Sequence, residues 1–143
     1  MKRNKSFIVA TPVVAILGSI ALFSIAVPTA LAHDDAKVNQ AFSEKLPNVP
    51  GHSITGLVVH YEPGGKSDAH HHAGSVMAYV LTGAIRSENS ATGAVRVYKA
   101  GESFFEPPGS IHLVSENASA TEPASLLAIF IAEDGSTLTT YGK

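Results

Sequence analysis

Gly64-Gly-Lys-Ser-Asp-Ala-His70-His71-His72-Ala-Gly-Ser-Val76-Met-Ala-Tyr-Val-Leu-Thr-Gly83 sets three consecutive histidines between two glycines. On an extended strand successive side chains point to opposite faces, so His70 and His72 share one face and His71 takes the other. Two residues along a strand span about 6.5–7 Å, so two imidazoles can converge on one ion at about 2.1 Å each. A third ligand has to come from elsewhere in the chain, and His112 is the candidate. A histidine run taken alone fits a solvated loop equally well, so its surroundings decide the reading. His33, His52 and His60 stand singly and read as surface or hydrogen-bonding residues.

Outward from this stretch the chain consists of short β-rich runs separated by Gly, Pro and Asn. Strands are expected near Ser53–Tyr61, Ser75–Leu81, Ala84–Glu88, Val95–Lys99, Ser103–Glu106, Ile111–Glu116 and Ser125–Ala132, with a last one at Thr137–Tyr141. Val, Ile, Phe, Tyr and Leu supply them, as a half-buried pleated surface requires. Turns fall at Glu62-Pro63-Gly64-Gly65, around Gly83 and Gly101, and at Pro107-Pro108-Gly109. This spacing predicts an all-β sandwich or barrel. Leu126 to Ile131 is apolar throughout and reads as a strand buried on both faces. Val80, Leu81, Phe104 and Phe130 are core candidates, and Ala36 to Leu46 reads as a short helix ending at Pro47.

Two stretches resemble the signature motifs of the cupin superfamily. The first is Gly64, five residues, His70-His71-His72, then Val76 and Gly83. The second is Gly101-Glu-Ser-Phe-Phe-Glu-Pro107-Pro108-Gly109-Ser-Ile-His112-Leu-Val-Ser-Glu116-Asn117. The resemblance covers roughly residues 52–133 and identifies a small single-domain cupin. It implies a single jelly-roll barrel, or double-stranded β-helix, preceded by a short N-terminal helix or extension. A divalent metal near the mouth would be held by His70, His72 and His112. It also suggests a homodimer, for which the unpaired edges of a short barrel give a physical reason.

Two departures from the family pattern stand out. The first-motif glutamate position carries Val76, and the second-motif asparagine is displaced by one, with Glu116 in its place. Three neutral imidazoles leave an ion its full 2+ charge, which favours acidification of a bound water or hydroxyl and capture of an anionic chelating ligand. Alternatively another carboxylate substitutes. Glu102 and Glu106 share a strand face by period-two alternation, and Glu106 directly precedes Pro107. Imidazole-rich sites accept Fe, Mn, Zn, Ni or Cu, so the sequence leaves the ion open.

The front of the chain has a different character. Lys2, Arg3 and Lys5 precede an uncharged stretch from Ser6 to Ala32 that ends Pro28-Thr29-Ala30-Leu31-Ala32. A basic start, an apolar middle and an A-x-A-like end describe a secretory signal peptide over residues 1–32, with an uncleaved anchor as the competing reading. The expected organisation is thus a signal at 1–32, an extension at 33–51, the barrel at 52–133, and a tail or last strand at 134–143. Export to the periplasm or the exterior follows, with no membrane association once the signal is cut.

Without its first three basic residues the chain retains seven against 12 acidic, a formal −5, which argues against nucleic acid as a partner. There is no cysteine, which excludes disulfides and thiolate chemistry. The expected partner is a small molecule. One reading is a metal-dependent dioxygenase, lyase or isomerase acting on a small oxygenated organic compound; the other is a non-catalytic module that binds a small molecule or metal. No catalytic residue is assigned, and His71, His60, Tyr79 and Glu106 are candidate bases by residue type only.

Overall fold

The computed structural model describes residues 35–142. The expected signal segment 1–32 and His33 lie outside the described residues. Eleven strands and no helix are present among those described: β1 (Ala36–Lys45), β2 (His52–Tyr61), β3 (Lys66–Ser67), β4 (His70–His72), β5 (Ser75–Thr82), β6 (Ala84–Asn89), β7 (Gly93–Lys99), β8 (Ser103–Glu106), β9 (Ile111–Asn117), β10 (Ala124–Glu133) and β11 (Thr139–Tyr141). All neighbouring strands run antiparallel. One sheet has the order β1-β2-β10-β5-β8. The second has the order β11-β4-β9-β6-β7, with β3 also paired to β9. The non-consecutive neighbours in both sheets are those of the expected double-stranded β-helix.

The core lies between the two sheets. Tyr61, Val76, Val80, Ile85, Leu126 and Phe130 form its buried centre, with Phe104 packed against it. Burial of these side chains supplies about 1.5–3 kcal/mol each. Positive-φ glycines turn the chain at the expected places. At Gly83, with φ 68°, a Cβ would meet the Pro123 carbonyl at 2.7 Å, so close backbone approach as well as conformation requires glycine there.

Three expectations need correction. Ala36 to Leu46 is not a helix: Ala36–Lys45 is an edge strand paired to β2 from Ala36↔Tyr61 to Lys45↔Ser53, with a bulge between Gln40 and Phe42. Ala, Gln, Lys and Glu favour helix locally, and Val38, Ala41, Phe42 and Leu46 even fall at helical spacing, but so short a helix is marginal alone and the open edge of β2 offers a ladder of backbone hydrogen bonds. Leu81 is not core; it points outward from β5 and is 41% exposed. Nor is β10 buried on both faces along its length: Leu126, Ala128, Phe130 and Ala132 point inward, whereas Ile131 is 43% exposed. An apolar run hides the alternation, because both faces carry aliphatic side chains.

Candidate metal centre

Strand alternation on β4 behaves as expected: His70 is buried, His71 exposed and His72 half-buried. β4 pairs with β9 so that His70 lies directly opposite His112, which Gly109 (φ 73°) and the preceding prolines deliver onto β9. The ring centroids lie 4.8 Å (His70–His72), 5.0 Å (His70–His112) and 6.3 Å (His72–His112) apart; the first and last pairs meet edge to face and the second is tilted. One ligand nitrogen from each lies within 4.8 Å of the others, so the three histidines could hold a metal ion.

Each ring is anchored through its other nitrogen. His70 Nδ1 donates to the Asp68 carbonyl at 2.6 Å. His72 Nδ1 donates to the Leu138 carbonyl at 3.2 Å, with Thr139 Oγ1 also at 3.2 Å. His112 Nε2 bonds Ser87 Oγ at 2.9 Å. Such outer partners fix the tautomer and ring orientation of metal-binding histidines, so the donor set fits the ion. The packing is equally defined: Phe130 stands edge-on to His72 at 5.0 Å, and Phe104 to His112 at 5.9 Å.

A carboxylate stands beside two of the three rings. Glu106, 3% exposed, is the last residue of β8. Its Oε1 is 3.2 Å from His112 Nδ1 and its Oε2 is 3.9 Å from His72 Nε2. Asn89 donates to Oε2 at 3.1 Å and also to Ser110 Oγ at 2.9 Å. Burial alone would raise the Glu106 pKa, but the hydrogen bond from His112 and the charges of His112 and His72 outweigh it, so its carboxyl sits below its ordinary value. His72 is pushed the other way. Its burial, reinforced by His70 and His112 and opposed by Glu106 and the Leu138 carbonyl, lowers its pKa from 6.5 to about 4. The ring is therefore neutral at ordinary pH, as a metal ligand must be.

The remaining candidates fall elsewhere. Glu102 is exposed and accepts a hydrogen bond from the Lys99 amide. His71 and His60 are exposed, and Tyr79 lies on the outer face of β5, 41% exposed. Asn117 serves the fold: its Nδ2 donates to the carbonyls of Glu62 and Glu122, tying two loops together. Glu116 pairs with Arg86.

Ser87, Asn89 and Tyr61 were not singled out by the sequence, yet all are buried at or beside the cluster. A signal existed for two of them. On β6 the charged Arg86 and Glu88 must face outward, which turns Ile85, Ser87 and Asn89 inward. Tyr61 OH bonds Ser67 Oγ at 2.9 Å and Ser115 Oγ at 2.8 Å.

The histidines and Glu106 line a small cavity of about 70 Å³; Leu57, Val59, Val76, Leu126 and Phe130 form its apolar wall, and Tyr141 stands near His70.

A family model described as "Cupin domain" matches residues 57–130. No curated protein sequence matches the chain. Among solved structures, the chain is similar to an uncharacterized conserved protein with a double-stranded β-helix domain from Klebsiella pneumoniae, at 20% identity and TM-score 0.59, covering 76% of this chain and 86% of that one. It is also similar to oxalate oxidase in complex with the substrate analogue glycolate, at 21% identity and TM-score 0.58, covering 76% of this chain and 55% of that one. Bacillus subtilis oxalate decarboxylase, described with Mn(II) centres, aligns at 27% identity and TM-score 0.51 over 62% of this chain and 23% of its own. This chain thus spans about half of the oxidase chain and a quarter of the decarboxylase chain.

Proposed function

The chain belongs to the cupin family, and on that premise we propose that it binds one divalent metal ion through His70, His72 and His112 and acts there on a small oxygenated organic molecule. The observation that carries the reading is the clustering of three anchored imidazoles: each ring is held through one nitrogen by Asp68, Leu138 or Ser87, and one ligand nitrogen from each lies within 4.8 Å of the others. A bound ion would supply Lewis acidity and open positions for ligand oxygens. The chain's own residues do the rest. Leu57, Val59, Leu126 and Phe130 exclude water from the chamber, while the β4–β9 pairing holds the rings in register. Oxalate oxidase binding glycolate and a decarboxylase with Mn(II) make short oxygenated acids and Mn(II) sensible first trials.

The proposal extends to export through residues 1–32 and to a homodimer. Met77, Tyr79, Leu81, Phe105 and Ile131 on the outside of the five-stranded sheet support the second, being large apolar side chains that are all exposed.

The test starts from purified protein. Elemental analysis should find about one divalent ion per chain in wild type and little in His72→Ala. Metal-loaded protein is then assayed for oxygen uptake and product formation with diketones, flavonols, phenolic acids and short hydroxy acids. Wild type that carries no metal, and whose melting temperature does not move with chelator, sinks the reading.

A further inference from the structure

We propose that Glu106 is a fourth ligand to the ion, supplying from β8 the negative charge that the three imidazoles lack; the inference rests on the three-histidine reading above.

Two donor atoms each about 2.1 Å from one ion lie about 3.0 Å apart at a right angle and about 4.2 Å apart when opposed. Glu106 comes within that range of two histidines through one oxygen each, as a carboxylate holding the ion by both oxygens would: Oε1 is 3.2 Å from His112 Nδ1 and Oε2 is 3.9 Å from His72 Nε2. The nitrogens concerned are the ones turned toward the cluster, since Ser87 holds His112 Nε2 and Leu138 holds His72 Nδ1. A carboxylate this buried is costly unless paired, and among the described residues no Lys or Arg pairs with it; its partners there are the two rings and Asn89. A divalent ion at the centre would compensate the charge fully, leaving the site at 1+.

The strand register explains how a glutamate at 106 can serve a site whose own strand offers only Val76. Val76 and Glu106 are direct cross-strand partners between β5 and β8, both lining the cavity. The Cβ atoms of such partners lie about 4.5–5.5 Å apart, so a carboxylate can reach one point from either position. The charge has moved one strand sideways while staying at the same level of the barrel.

Metal-stripped full-length protein is titrated with Co(II) and with Mn(II), reading affinity by chelator competition and the ligand field by Co(II) absorption. Glu106→Gln keeps the acceptor for His112 and removes the charge. It should weaken binding by more than about a hundredfold, beyond the roughly 10–100-fold that outer partners contribute, and should change the Co(II) bands. The transposed pair Val76→Glu/Glu106→Val should bind within about tenfold of wild type.

A wild-type chain that takes up neither ion ends the three-histidine reading, and this inference with it. Wild type that binds while E106Q stays within about threefold, or weakens with an unchanged Co(II) spectrum, overturns the inference alone and leaves the histidines standing. If E106Q does not fold, the transposed pair decides by itself: wild-type-like binding supports the ligand role, and absent binding refutes it.

Discussion

Strands β5 and β10 carry two surfaces of similar chemistry and opposite fate. Inward, Val76, Ala78 and Val80 face Phe130, Ala128 and Leu126 row by row, and all six are buried. Outward, Met77 pairs with Ile129 and Tyr79 with Leu127, and Phe105 of β8 continues the Met77 row. Met77, Tyr79, Leu81, Phe105 and Ile131 on that side are 39–51% exposed. Hydrophobicity therefore does not tell the inside of this sheet from the outside. What does is the end of each inner row, where Phe130, Phe104 and Glu106 meet the histidines of the other sheet.

The inner surface should break hardest. Phe130→Ala removes a ring that is 2% exposed and stands edge-on to His72. It should cost about 3–5 kcal/mol in urea denaturation of the metal-free protein. It should weaken metal uptake as well, because His72 loses the wall that fixes its ring. A loss under about 1 kcal/mol would mean that the inner face is not the packed side.

Acid should act on the same surface. His72 is held at about 4 when folded and titrates near 6.5 when unfolded, so between those values the unfolded chain binds the extra proton. Stability of the metal-free protein should fall as pH drops from 6.5 toward 4, by at most about 3 kcal/mol. Glu106 adds to the same slope. Its folded pKa is depressed, so its contribution is present above its ordinary value of 4.5 and is lost as pH falls through the lower folded value. Urea titrations of wild type and His72→Asn across this range check the point: the variant should lose most of the slope, and a flat wild-type profile would contradict the burial of His72.

The contrast between the faces also explains what the sequence could and could not disclose. The histidine cluster was legible because H-x-H on a strand puts two rings on one face, and because Pro107-Pro108-Gly109 marks the arrival of the third. Most strands were legible too, since Gly, Pro and Asn punctuate them. Leu81 and Ile131 were not, because β5 and β10 alternate between one apolar face and another. Glu106 could be put on a face with Phe104, but Phe105 on the opposite face is as apolar, and only the pairing of β8 with β5 shows which side is in. β1 misled for a different reason: its residues prefer helix, and its strand state comes from pairing with the edge of β2, the next strand along the chain.

The outer surface should respond least in the stability of one chain and most in how chains associate. Ile131 is 43% exposed and pairs with Ser75 at the end of the outer row. Replacing it by lysine leaves the inner packing alone, so the unfolding free energy measured at high dilution should change by less than about 1 kcal/mol. The same lysine puts a charge into a face of exposed apolar side chains that, in the proposed homodimer, would meet its own copy. A two-fold contact then places both lysines in one interface, where desolvation and repulsion act twice. Sedimentation velocity at matched concentrations should show wild type as a dimer and Ile131→Lys as a monomer that still binds metal. A wild-type monomer would remove the outer face from the argument and leave its exposed side chains without a partner in a second copy of this chain. A lysine variant that stays dimeric would instead move the contact to a strand edge, with β1 and β7 as the exposed candidates.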